Sequence, residues 1–156
     1  MLFKEKENDM EKDVVKKDMV VIDENLDAPI DKVWKALTDT DEMDRWYFIM
    51  DDFQLEVGST FTFYSGGEET KYLHICKILE IKPEEKLSYS WRYEDLEGES
   101  VVSFYLYKHE EVTHLKLTHE GLDSFPQDKP DFTVESFRKG WEEIISISLK
   151  EYVEAQ

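Results

Sequence analysis

Proton chemistry in this sequence would fall to histidines and acids placed in strand register. His119 follows Leu115 and Leu117 at steps of two, so a strand there carries all three on one face. On that face it would orient a ligand oxygen, or be a satisfied structural histidine bonded to loop backbone. The structural role is the stronger expectation, because a buried polar group must find a partner. His74 alternates with Tyr72, Cys76, Ile78 and Glu80, whereas Leu73, Ile75, Leu79 and Ile81 take the other side. Both sides are apolar, so spacing alone leaves the inward face of Lys71–Ile81 open. With the first set inward, His74 and Glu80 form a candidate acid/base pair, and His119, His74 and Glu80 are the candidate catalytic residues.

Other chemistries lack their residues. The four histidines, His74, His109, His114 and His119, form no HExxH motif and no i, i+4 pair, so neither a metal nor a cofactor is expected. No GxSxG elbow and no Gly-rich phosphate loop is present, and Gly66-Gly67 reads as a hairpin turn. The single cysteine, Cys76, excludes an internal disulfide and a Cys-based zinc cluster. Its neighbour Lys77 points to the opposite strand face, so Cys76 reads as an inert core thiol.

The elements that would position these groups are legible in outline. Residues 1–13 hold too few apolar side chains to bury and read as a flexible acidic tail, with a single domain over 14–156. A first strand within Val14–Leu26 centres on Val20-Val21-Ile22 and stops at Asp27-Ala28-Pro29, where Asp27 is the expected helix cap. Ile30, Val33, Trp34 and Leu37 mark a short helix, and Thr40–Trp46 a second. From Asp52 to Glu120 short alternating runs predict about six antiparallel strands. Val134, Phe137, Trp141, Ile144, Ile145, Leu149 and Tyr152 then share one face of a long helix over Thr133–Glu154.

Large rings crowd the surfaces expected to face inward. Trp46, Phe61, Phe63, Tyr89, Trp91, Phe104, Phe137 and Trp141, with Leu117, His119 and Ile145, are the expected ligand-binding residues between sheet and helix. A curved sheet cannot pack flat on one helix everywhere, so a cavity is expected at the wide end. Each ring taken singly is a core filler before it is a pocket wall.

Composition sets the boundaries. The chain has 156 residues with 40% apolar and 36% charged side chains, enough to bury a full core. Its 19 basic against 37 acidic residues give a net charge of −18, which repels phosphate backbones and anionic lipid surfaces. Nucleic acid and membrane insertion are therefore not expected as partners. The longest apolar run, Met19–Ile22, is far below a membrane span, and the lone cysteine suits a reducing, cytoplasmic setting.

Several segments together resemble a known family. Leu26–Leu37 followed by Asp44-Arg45-Trp46-Tyr47, Ile78–Pro83 through Lys86–Trp91, Leu115–Gly121, and Gly140-Trp141 ahead of Leu149–Tyr152 are similar to the START-like superfamily. The branch resembled is the one named for the activator of the ninety-kilodalton heat-shock protein ATPase, common in bacteria. The resemblance implies an α+β helix-grip fold: a curved antiparallel sheet wrapped around a long C-terminal helix, with two short helices after the first strand. It also implies binding of an apolar or amphipathic small molecule. Alternatives are a co-chaperone-like module acting on a heat-shock ATPase, and a cyclase or dehydratase. The chain departs from the family's pattern at Cys76, where glycine is common, and at Glu84, where a second proline is common.

Overall fold

The computed structural model describes residues 18–66 and 71–155. The expected tail over 1–13 lies outside them. Six strands, β1 Val20–Leu26, β2 Thr60–Gly66, β3 Lys71–Lys82, β4 Lys86–Tyr93, β5 Ser100–His109 and β6 Val112–Glu120, form one sheet. The strand order is β1-β6-β5-β4-β3-β2, and every pairing is antiparallel. Two helices, α1 Ile30–Thr38 and α2 Thr40–Trp46, follow β1, and a helix over Val134–Glu154 closes the chain. This is the α+β helix-grip arrangement.

Among the described residues five strands follow the short helices, where about six were expected. The segment before β2 is irregular and meets the sheet through one bridge, Asp51 to Thr62. Alternation orients the rest: Phe61, Phe63, Leu87, Tyr89, Trp91, Val102, Phe104, Leu115 and Leu117 all turn inward and are buried.

The helix starts differ from the expected caps. Asp27 does not cap α1; Pro29 holds that position without a side-chain bond, while the Asp27 N–H donates to Glu154 Oε2 at 2.8 Å. Lys150 Nζ donates to the Asn25 carbonyl at 2.8 Å, so the end of the terminal helix grips the end of β1. For α2 the cap is Asp39, whose carboxylate accepts from the N–H groups of Asp41 and Glu42. Glu84 sits at φ 62°, a value closed to proline.

One irregularity in β3 controls what the sheet presents. Ile78 pairs with Tyr89, but Glu80 pairs with Ser88 and Ile81 with Leu87. The extra residue is a β-bulge, and it reverses the alternation. Before it His74, Cys76 and Ile78 face inward; beyond it Ile81 packs on the core.

The terminal helix changes winding midway. Val134–Glu143 (α3) is α-helical, Ile144–Leu149 is π-helical, and Lys150–Glu154 returns to α. Its buried residues, Phe137, Trp141, Ile145, Leu149 and Val153, recur every fourth position. Four α-helical residues overshoot a full turn by about 40°, so a pure α-helix would rotate this row off the sheet. The wider i→i+5 winding turns less per residue and brings it back. In consequence Val153, not Tyr152, is the last core residue, and the half-buried Tyr152 donates its O–H to Glu42 at 2.9 Å.

Candidate functional site

His119 stands within a chain of fully used hydrogen bonds. Trp141 Nε1–H, which can only donate, reaches His119 Nδ1 at 2.9 Å. The neutral ring therefore carries its proton on Nε2, which donates to Ser100 Oγ at 2.7 Å, and Ser100 in turn donates to the Trp91 carbonyl at 3.0 Å. Both ring nitrogens are spent on side chains, where loop backbone was expected. Burial lowers the His119 pKa to about 3, with a smaller push from His74. The arrangement locks the terminal helix to β4, β5 and β6 and leaves His119 no proton to exchange with a ligand.

His74 occupies a different setting. Its ring stacks on Phe63 at 4.4 Å and meets Trp91 and Tyr93 edge-on at 4.9 and 4.6 Å. Nδ1 lies 3.0 Å from the Tyr72 carbonyl, so the proton of the neutral ring sits on Nδ1. Burial, opposed by backbone carbonyls of Tyr72 and Phe63, brings its pKa down to about 4. The Nδ1 proton is thus committed to the Tyr72 carbonyl, and the Phe63 carbonyl is a second acceptor beside the ring.

Glu80 does not join it. The bulge turns Glu80 outward, where it pairs with Lys86 at 2.7 Å and Lys82 at 3.4 Å. These ammonium groups, the hydrogen bond from Lys86 first, hold its carboxyl below the usual range. The acid/base pair anticipated from strand spacing is thus corrected: its members lie on opposite faces of the sheet.

A groove opens where β3 and α3 draw apart. Two adjoining hollows of about 120 and 300 Å³ share Ser65, His74, Asp131, Ser136 and Gly140. Phe48, Trp91, Phe137, Trp141 and Ile144 wall the first; Tyr72, Tyr93 and Phe132 wall the second. The floor is made by an absence, since a Cβ added at Gly140 would meet nothing within 4 Å. The rim is held by the loop after β6. Gln127 Nε2 donates to the carbonyls of Leu122, Phe125 and Phe132 at 3.0, 3.1 and 2.8 Å. Gly98, at φ 111°, admits Phe125 and the Ser124 carbonyl to 2.6 Å of where a Cβ would stand. Asp131 on this rim accepts the Tyr72 O–H at 3.0 Å.

Most of the expected wall belongs to the interior. Trp46, Phe61, Phe63, Tyr89, Phe104, Leu117, His119 and Ile145 are buried and line neither hollow. Trp91, Phe137, Trp141 and His74 do line the groove. Phe48, Ser65, Tyr72, Tyr93, Asp131, Phe132, Ser136, Gly140 and Ile144 were outside the predicted set. Tyr72 and Gly140 had signals, the first in sharing the His74 strand face, the second in lying beside Trp141. A larger concavity, about 520 Å³, lies on the outer sheet face among Val21, Asp23, Tyr105, Tyr107 and Lys116. It is remote from the ring cluster, and charged side chains of both signs line it. Among the described residues no cluster of three or more metal-ligating side chains occurs. No described helix is long and apolar enough to cross a membrane.

A curved six-stranded antiparallel sheet closed by one long helix defines a helix-grip domain of the START-like kind. Solved structures share it: DynU16, a protein in the dynemicin biosynthetic locus, superposes with a TM-score of 0.72 at 22% identity over 89% of this chain. This chain spans only 48% of DynU16. MLL2253 from Mesorhizobium loti gives 0.71 at 26% identity, covering 88% of this chain and 98% of that one. CalU16 from Micromonospora echinospora gives 0.67 at 27% identity, covering 86% and 75%. No curated protein matches the chain. Residues 27–154 match the family described as activator of Hsp90 ATPase homolog 1-like protein, and the chain belongs to that family.

Proposed function

We propose that this protein binds an apolar or amphipathic small molecule in the groove between β3 and α3. One observation carries the reading: an aromatic-walled opening persists over Gly140 although the helix could hold a side chain there. A helix interior glycine costs roughly 0.5–1 kcal/mol relative to alanine, so the open floor is maintained against a local preference. The walls supply apolar contact, and Ser65, Asp131 and Ser136 supply polar contact at the rim.

Native mass spectrometry on freshly purified protein, followed by denaturing analysis of the same sample, tests this directly. A reproducible extra mass released on denaturation is the expected result. A clean apo mass, together with no thermal shift across a library of ring-containing and lipid-like compounds, overturns it. A ligand at 100 times its Kd would stabilise the fold by about 2.7 kcal/mol.

The second reading, a protein-contact role, draws on the family description and on the irregular segment before β2. Ile49 and Val57 there are 72% and 60% exposed. It requires a change in ATP turnover when the chain is added in excess to an Hsp90-type ATPase. Unchanged turnover would remove it.

A further inference from the structure

We infer that the groove selects aromatic molecules bearing an amine and rejects those bearing a carboxylate; this deepens the binding reading above and rests on it. The first ground is the inventory of polar groups left unspent. Tyr72 gives its proton to Asp131 Oδ2, so the other carboxylate oxygen faces the rim without a hydrogen bond among the described residues. The His74 ring, only 5% exposed, has its Nδ1 proton committed to the Tyr72 carbonyl and so offers no cation to a ligand. The Asp131 oxygen calls for a ligand that donates, and an ammonium or N–H group is the donor that a carboxylate rewards most.

The second ground is charge. No lysine or arginine lines either hollow among the described residues. The nearest basic side chains on α3 are engaged elsewhere: Arg138 faces Glu135 at 3.5 Å, and Lys139 lies in a separate surface hollow with Glu142 and Glu143. His74 stays neutral at physiological pH because burial lowers its pKa to about 4. An anionic ligand would therefore meet Asp131 with no lysine or arginine among the described lining residues to offset it, on a molecule of net charge −18.

The third ground is shape. The walls are ring faces and ring edges, and such faces attract cations as well as flat apolar groups. Over Gly140 the space a Cβ would take is open, so a ligand can approach the helix backbone there. The groove also holds hydroxyl donors: the Ser65 and Ser136 hydroxyls line it, and Tyr93, whose oxygen accepts Trp91 Nε1–H at 2.9 Å, keeps its own proton to give. An oxygen on the ligand would take it.

Three probes with one ring system separate the terms: naphthalen-2-ylmethanamine, naphthalen-2-ylmethanol and naphthalene-2-carboxylate. Isothermal titration at pH 7.5 is run on the full chain, on Asp131→Asn and on Gly140→Leu. The expected order is amine, alcohol, carboxylate, with about tenfold between the first and the last, as a charge-assisted bond supplies. Asp131→Asn should remove most of that difference while leaving the alcohol unchanged, which separates the local carboxylate from the general field of the protein. Gly140→Leu should abolish binding of all three. Equal binding by the three probes, or a preference for the carboxylate, overturns the selectivity and leaves small-molecule binding standing. Binding of the amine that ignores both substitutions also overturns it, by placing the amine outside the groove. If none of the three binds, the binding reading itself fails for ring compounds.

Discussion

His74 and His119 both touch Trp91, and both are kept neutral by burial, yet their bonding sets them apart. His119 is closed on both nitrogens by side chains, whereas His74 leans on backbone carbonyls and stacked rings. Their folded pKa values, about 3 and about 4, lie below the ordinary 6.5. Between those limits the unfolded chain binds more protons than the folded one. This contribution to stability is therefore whole above about pH 6.5 and is lost as pH falls towards 4. Each histidine adds a slope approaching about 1.4 kcal/mol per pH unit in that window. Urea denaturation at pH 7, 6 and 5 should show the loss, and His74→Phe, which keeps a ring against Phe63, should make it shallower. An identical pH slope in that variant would contradict the assignment to His74. The register of both histidines was legible as period-two alternation. Their protonation was not, because it depends on Trp141 and Ser100 for one and on Phe63 and the Tyr72 carbonyl for the other, partners that strand spacing alone does not name.

Two local changes of winding decide what the elements present. Spacing would put Glu80 on the face of His74, and the bulge at its junction with Ile78 turns it to Lys82 and Lys86 instead. In the terminal helix the row Phe137, Trp141, Ile145, Leu149 and Val153 keeps to the sheet because Ile144–Leu149 winds as π-helix. That second signal was present in the strict fourfold spacing, which fits no pure α-helix. The bulge left no comparable mark, since Leu79, Glu80 and Ile81 suit either register. Gly140 offers a test at this scale. With nothing near its missing Cβ, Gly140→Ala should stabilise the protein by about 0.5–1 kcal/mol, measured by chemical denaturation. Destabilisation would show that the helix has no room there, and the open floor of the groove would be refuted with it.

At the scale of the whole molecule, 37 acidic residues against 19 basic ones make self-repulsion part of the energy balance. Raising salt from about 10 mM to 150 mM shortens the screening length from roughly 30 Å to roughly 8 Å. Tm should rise over that range, and a steady fall would mean that attractive pairs such as Glu80 with Lys86 and Glu154 with Lys150 outweigh the repulsion. The sequence by itself determined the succession of helices and strands in outline, the inward faces of the strands other than β3, most of the apolar row of the last helix and the excess of negative charge. All of these are written in neighbouring residues at periods of two and about four. The tertiary structure alone decided which rings fill the interior and which stay open to a ligand. The groove lies between β3 and α3, more than fifty residues apart, and its existence depends on the summed volumes of the side chains that meet there and on the one, at Gly140, that is missing.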